Sequence, residues 1–276
     1  MSGSALPLLI AADPASLAGH GLARLQEHLR GEAVSCAELA ASMAQASGVD
    51  QRAPLALALA AVAAAADRSG LDNAFHNPAH TREVAVNWWL LARLHGSAHR
   101  PLAREAILLG LTAAFGHDLH HDGRGNGADD CHVAFRLETV AAAAVDDLLR
   151  AAGVSGQCRA AVSAMILCTD VQAGYAQLAD PDLADPRFAA LADETTLLSA
   201  RMLRDADLMP SAGTSITAYR ARTAELEQEA GLPLGALGGD AARGFFDQVV
   251  ERRFLSPAAQ HFAGNLAAIA GEAAGD

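Results

Sequence analysis

The stretch FHNPAHTREVAVNWWLLARLH, residues 75–95, decides how this chain is read. Val84, Trp88, Leu91 and Leu94 fall three or four residues apart, the spacing of one helix face, so a helix is expected over 79–95. His76 and His80 stand four apart at its start, a spacing that places two imidazoles on one face if both are helical. One segment therefore supplies a core-facing stripe and a pair of candidate ligands.

Outward from it the pattern stays helical. Of the 276 residues, 66 are Ala, the best helix former and a poor strand former, which sets aside an all-β fold. Helices are expected at 16–31, 35–48, 54–68, 132–152, 156–170, 190–208, 214–231, 240–254 and 257–272, with one more from Pro101 toward His117. Ser35 with Glu38 three residues on reads as a capping box. HHDGRGNGADD (120–130) and GLPLGALGGD (231–240) read as loops, and no stretch alternates as a strand does. The expected fold is all-α, a compact multi-helix bundle of roughly ten helices in one domain. Residues 1–70 carry no motif and form an N-terminal helical part packed on a core over 71–276. A helical cap, a dimerisation surface or the near wall of a pocket are all open for that part.

Composition narrows the partners. The formal net charge is −12 and no basic face is visible, which disfavours nucleic acid. The longest apolar run, Leu55 to Ala66, has 12 residues, too few to span a bilayer. All 20 basic residues are Arg, so Schiff-base chemistry and a P-loop lysine are excluded. Cys36, Cys131, Cys158 and Cys168 form no CxxC pair and read as reduced, mostly buried thiols. The opening MSGSALPLLIAADPAS lacks the basic region of a secretory leader. The expected setting is the cytoplasm, and the expected partner a small phosphate ester, with no nucleic acid and no membrane. Oligomeric state is open, a homodimer included.

Eight of the 11 His lie between 76 and 132. His117 and Asp118 are adjacent, and at a helix end two neighbours can converge on one point. Asp207 follows much later, in DADLMP. Imidazoles with carboxylates suit Zn²⁺, Mn²⁺ or Fe²⁺, with Mg²⁺ at a carboxylate-and-water position.

These residues carry a resemblance. The set His, His-Asp, Asp is similar to the signature of the HD superfamily of metal-dependent phosphohydrolases. It resembles more closely the catalytic domain of class I 3′,5′-cyclic nucleotide phosphodiesterases. FHNPAHTREV (75–84), AAFGHDLHHDGRGN (113–126), RLET (136–139), ILCTD (166–170), DADLMP (205–210) and GFFDQVVERRFLSP (244–257) each look like a segment of that family, in its order. The resemblance implies His80, His117, Asp118 and Asp207 as ligands of a tighter ion, usually zinc. It implies Asp118 as the bridge to a second ion, Mg²⁺ or Mn²⁺, and His76 as proton donor to the leaving oxygen. His121, Glu138 and Asp170 match polar residues around the water between the ions. Asn126 matches a polar pocket position, and Phe245 the aromatic that stacks on a base.

Elementary chemistry supports these roles. A phosphodiester repels hydroxide; two cations about 3.5–4 Å apart neutralise it and hold a hydroxide between them at neutral pH. A nearby imidazole can protonate the departing alkoxide. The expected activity is phosphodiester hydrolysis, with a 3′,5′-cyclic nucleotide as first candidate. The alternatives are a phosphomonoesterase or nucleotidase, a di-iron oxygenase using His120 or His121 for a second iron, and a metal-bound sensor. One departure bears on substrate: the family's purine-selecting Gln, three residues before the stacking Phe, is Ala242 here, and an Ala cannot bond a base edge. Asp205 competes with Asp207 as ligand, and His132 is open between a site and a structural role. His20, His28, His95, His99 and His261 read as ordinary structural residues, Asp122, Asp129 and Asp130 as loop chemistry, Trp88 and Trp89 as packing, and Cys168 as a buried apolar residue.

Overall fold

The computed structural model describes residues 22, 30, 34–128, 131–251 and 253–273. The helix expected at 16–31, with His20 and His28, and the loop residues Asp129 and Asp130 lie outside them, as does the Cys131 side chain. Among the described residues from 34 on, eleven α-helices follow one another: α1 (Cys36–Ala46), α2 (Pro54–Ala66), α3 (Pro78–Ala98), α4 (Arg104–Gly116), α5 (Arg136–Ala151), α6 (Gly156–Leu167), α7 (Ala173–Ala179), α8 (Glu194–Ala212), α9 (Ile216–Glu229), α10 (Gly239–Gly244) and α11 (Ala263–Ala273). A two-residue hairpin, β1 (Gly127–Ala128) with β2 (Cys131–His132), is the sheet among the described residues. No described helix is long and apolar enough to cross a membrane.

Local chemistry sets the helix starts. Ser35 accepts from the Glu38 N–H, and the Glu38 carboxylate accepts from the Ser35 N–H, the reciprocal box its spacing predicts. Asn77 caps α3, accepting from the N–H groups of Ala79 and His80 at 2.9 and 3.3 Å, with Pro78 at the first helical position.

The centre of the bundle is α3 lying on α8, with α4 against both. Trp88 of α3 is fully buried and donates its indole N–H to the Ser199 carbonyl of α8 at 3.2 Å. Its ring lies where α4 has Gly110; a Cβ there would stand 1.8 Å from it, so glycine sets how near the two helices approach. The α3–α8 contact holds a second device. Pro210 lies inside α8 and has no N–H for the carbonyl of Ala206 one turn back. The fully buried Asn87 of α3 donates to that carbonyl instead, at 3.1 Å.

The elements differ from the sequence reading at several boundaries: the helix expected over 190–208 runs over Glu194–Ala212, and the one expected over 257–272 opens with a 3-10 stretch, Pro257–Phe262, before α11. The helix expected from 132 begins at Arg136, because the chain first forms the hairpin, with the Val133 N–H on the Asn126 carbonyl at 2.7 Å. The helix expected to reach 170 ends at Leu167, and the seven-residue α7 follows; two turns are too few for a periodic signal to build. The helix expected over 240–254 breaks into α10 and a π-helical turn, Phe245–Val249. Here the buried pair Arg204 and Asp205 outcompetes helix continuation. Arg204 donates to the carbonyls of Val250 and Arg253, while Asp205 accepts from the N–H groups of Leu255 and Ser256. At the other end of the central pair, α3 continues through Gly96 to Ala98 instead of stopping near 95.

Replacing Asn87 by Ala strands the Ala206 carbonyl and is expected to lower stability by about 1–3 kcal/mol. In a Pro210→Ala background, which restores a helical N–H, the same replacement costs measurably less. Urea denaturation of the four proteins reads the coupling; equal costs in both backgrounds would refute it.

Candidate metal centre and cavity

Three helix positions bring the donors together. His80 sits in the first turn of α3, His117 caps the C-terminus of α4 with Asp118 following, and Asp207 lies inside α8. His80 Nε2 stands 3.4 Å from Asp118 Oδ2 and 3.1 Å from Asp207 Oδ1; His117 Nε2 stands 3.1 and 3.6 Å from the same two oxygens. These are ion-pair separations, yet His80 Nε2, His117 Nε2 and Asp118 Oδ2 are buried without a hydrogen-bond partner, because they aim at a common point and not at each other. Leaving such atoms unpaired is costly unless something occupies that point. His117 Nδ1 lies 2.9 Å from the Ala114 carbonyl, which fixes the proton there and leaves the Nε2 lone pair facing the cluster. This donor set fits a divalent cation.

The electrostatics agree. Burial opposes charge on His80, but Asp118 and Asp207 outweigh it and lift its pKa to about 9. His117 is raised by the same balance. Burial works against both carboxylates, yet the imidazoles hold Asp118 and Asp207 well below the usual range. Two adjacent carboxylates need compensating positive charge. Without an ion it comes from protons on the histidines, which a cation displaces.

Asp118 also belongs to a second group, its donor atom lying within 4.8 Å of those of His76 and His121. Here one expectation is corrected. His76 is not on the helix with His80; it precedes the Asn77 cap, because a residue before proline is steered away from the helical region and the capping Asn begins the helix after it. The two rings still lie 5.6 Å apart. His76 is fixed by Glu229, the last residue of α9: its carboxylate stands 2.5 Å from His76 Nδ1 and accepts from the N–H groups of Phe75 and His76. Although burial opposes it, this contact holds Glu229 down at about 2. His121 stacks on His76 at 3.7 Å, and burial, with His76 adding, lowers its pKa to about 4, so it is neutral beside its neighbour. Asn73 ties the two loops, donating to the carbonyls of His76 and His121.

The donors open onto a cavity of about 540 Å³, lined among others by Asn126, Glu138, Leu226 and Phe245. Asn126 donates to both oxygens of Glu138 and to Asp170. Burial lifts Glu138 to about 7 despite that contact. Asp170 is fully buried and accepts from the N–H of Phe135, a residue held at φ 60. His76, Asp118, His121, Asn126, Glu138, Asp207 and Phe245 line this cavity, while His80 and His117 stand behind Asp118 and Asp207, and Asp170 behind Asn126. Asp205 is turned away into the Arg204 pair, which separates it from the cluster. His120 is exposed and outside the lining. His95 and His99 face each other, their rings 5.0 Å apart. Cys36 and Cys168 are buried thiols and Cys158 is half-buried; burial pushes Cys168 up to about 12, which removes it as a nucleophile. Ala242 is buried and outside the lining. Glu229 is the residue of the candidate site that sequence reasoning missed: it lies 153 positions from His76, and no local spacing links them.

No protein-family model and no curated protein matches this chain in sequence. Its fold is shared with solved phosphodiesterase domains. The phosphodiesterase domain of the rhodopsin phosphodiesterase of Salpingoeca rosetta superposes with a TM-score of 0.64 at 19% identity, over 95% of this chain and 94% of that one. The phosphodiesterase domain of the RhoPDE fusion protein from the same choanoflagellate gives 0.61 at 17%, over 97% and 96%. LmjPDEB1 in complex with IBMX gives 0.63 at 16%, over 99% and 97%. The fold is that of a phosphodiesterase catalytic domain.

Asp207→Asn is expected to bind an added divalent cation far more weakly than the wild-type chain, whereas Asp205→Asn binds it as the wild type does and melts at lower temperature. Metal titration with thermal melting checks both; wild-type affinity in Asp207→Asn would remove that residue from the centre.

Proposed function

We propose that this protein hydrolyses phosphodiesters with two divalent cations, zinc at the tighter position and magnesium or manganese at the other. The observation that carries this reading is the meeting of His80, His117, Asp118 and Asp207 within ion-pair distance, with His80 Nε2, His117 Nε2 and Asp118 Oδ2 buried and without a hydrogen-bond partner. The shared phosphodiesterase fold supports it. Bound there, such ions supply charge neutralisation for the diester and lower the pKa of water.

The chain's own groups do the rest. Glu229 engages His76 at Nδ1, so Nε2 is the nitrogen left to face the substrate. From there a protonated His76 gives its proton to the departing ester oxygen, and Nδ1–H stays on the carboxylate throughout. Neutral His121, stacked on His76, fixes the ring without adding charge. Glu138, held near neutrality by burial and oriented by Asn126, can take up a proton released by water. Phe245 offers an aromatic face on the cavity wall.

Cavity charge favours a diester over a dianionic monoester. Asp118, Glu138 and Asp207 line it, and no arginine is among the lining residues. A monoester or polyphosphate brings extra negative charge that this wall does not match. A 3′,5′-cyclic nucleotide is the first substrate class to assay, with cyclic AMP and cyclic GMP as probes.

His76→Ala is expected to slow hydrolysis of an alkyl diester by on the order of 10²–10⁴, and hydrolysis of a p-nitrophenyl diester far less, since p-nitrophenolate leaves without a proton. Steady-state rates on both esters, with metal content of the variant, test this. Metal lost from His76→Ala would make His76 a ligand and end its role as acid.

A further inference from the structure

The part without a motif, residues 1–70, sends one side chain to the helices of the site. Arg30 donates from Nε and Nη2 to the two carboxylate oxygens of Glu83 on α3, at 2.5 and 2.8 Å. From Nη1 it donates to Glu225 Oε1 on α9, at 3.2 Å. One guanidinium thus joins two helices that both pack on α8. Its planar fork grips one carboxylate with two N–H groups and still offers a third to another. Glu83 is 2% exposed, so water cannot take the place of that partner. Arg222, on α9 itself, pairs with Glu225 at 2.9 Å and stands 3.8 Å from Glu83.

The position of these carboxylates along their helices gives the contact its reach. Glu83 follows His80 by three residues, one turn on along α3. Glu225 precedes Glu229 by four, one turn back along α9. Glu229 in turn holds His76 at Nδ1. The two helices are therefore laced at two successive levels: Glu229 on His76 at the cavity, and Glu225 through Arg30 on Glu83 one turn away. With Arg30 removed, the second level changes sign. Glu83 and Glu225 are then like charges with less cation between them, and their repulsion drives α9 away from α3. Glu229 goes with α9, whereas the metal donors, on α3, α4 and α8, stay where they are.

We propose that Arg30 is a positioning residue: it holds α9 against α3, so that Glu229 keeps His76 directed at the departing ester oxygen. This rests on the diesterase reading above and gives the N-terminal part a task in it. Arg30 acts on the proton transfer and leaves cation binding untouched.

The test compares ethyl phenyl phosphate with ethyl p-nitrophenyl phosphate, which differ only in the nitro group. Phenolate needs a proton to leave well; p-nitrophenolate does not. The ratio of kcat on the phenyl ester to kcat on the p-nitrophenyl ester, with Mn²⁺ present, reads the proton transfer. It does not depend on how much of the protein is folded, so a loss of stability alone leaves it unchanged. Arg30→Gln is expected to lower the ratio about tenfold. Glu225→Ala cuts the same tie but leaves no like charge facing Glu83, and lowers it about threefold. The double variant is expected to match Glu225→Ala, because the repulsion is gone, whereas two independent structural losses would multiply. Manganese affinity stays at the wild-type level in all three. Wild-type ratios in Arg30→Gln and Glu225→Ala, or a double variant lower than both, would overturn the assignment. Should Arg30→Gln not fold, a wild-type ratio in Glu225→Ala, which keeps the buried Arg30–Glu83 pair, would overturn it alone. Turnover of neither ester by the wild-type protein would overturn the diesterase reading, and this inference with it.

Discussion

Two imidazole nitrogens and two carboxylate oxygens confront one another across 3.1 to 3.6 Å, and the order of this fold depends on holding them there. Two carboxylates that share the same pair of imidazoles in a poorly solvated place need positive charge between them. The donors come from α3, the end of α4 and the middle of α8, so the helices must keep their mutual height to within a fraction of a turn. Trp88 against Gly110 sets one spacing, and Asn87 on the Ala206 carbonyl, next to Asp207, sets the other. The proline that interrupts α8 is what makes that carbonyl available to α3.

Around this centre the protein balances charge by position. Acidic groups crowd the cavity, and the arginines are spent at the bundle's seams: Arg30 on Glu83, Arg136 on Asp122, Arg204 on Asp205. Glu83 shows the cost of burial, lifted to about 7 despite the guanidinium beside it. The imidazoles supply positive charge as arginine does elsewhere, and His76 has its orientation fixed by Glu229. An excess of acid around the cavity is what the proposed function requires of it, a place for cations first and an anionic ester second.

How much of this was legible in the sequence follows from how local each feature is. Ser35 with Glu38, and the helical stripe of Val84, Trp88, Leu91 and Leu94, depend on neighbours a few residues away, and both could be read directly. The candidate metal donors could be picked out because His80, the His117–Asp118 pair and Asp207 sit in short, distinctive motifs, and the structure brings their side chains together. What escaped was decided by distant partners. Glu229 is one acid among several in α9, and nothing nearby marks it as the partner of His76. The break after α10 depends on Arg204 and Asp205, some 46 to 51 positions upstream. Spacing alone put His76 on the helix; the Asn77–Pro78 boundary, also local, outweighed it.

Both tryptophans of the chain lie on α3, and both are buried, Trp88 fully and Trp89 to within 6%. The intrinsic fluorescence of the molecule therefore originates on the helix that carries His80, close to the seam with α8. Emission from so dry an environment is blue-shifted. Any loosening of that seam admits water to the indoles and moves the spectrum to the red, giving an optical signal from the scaffold of the centre without an added label.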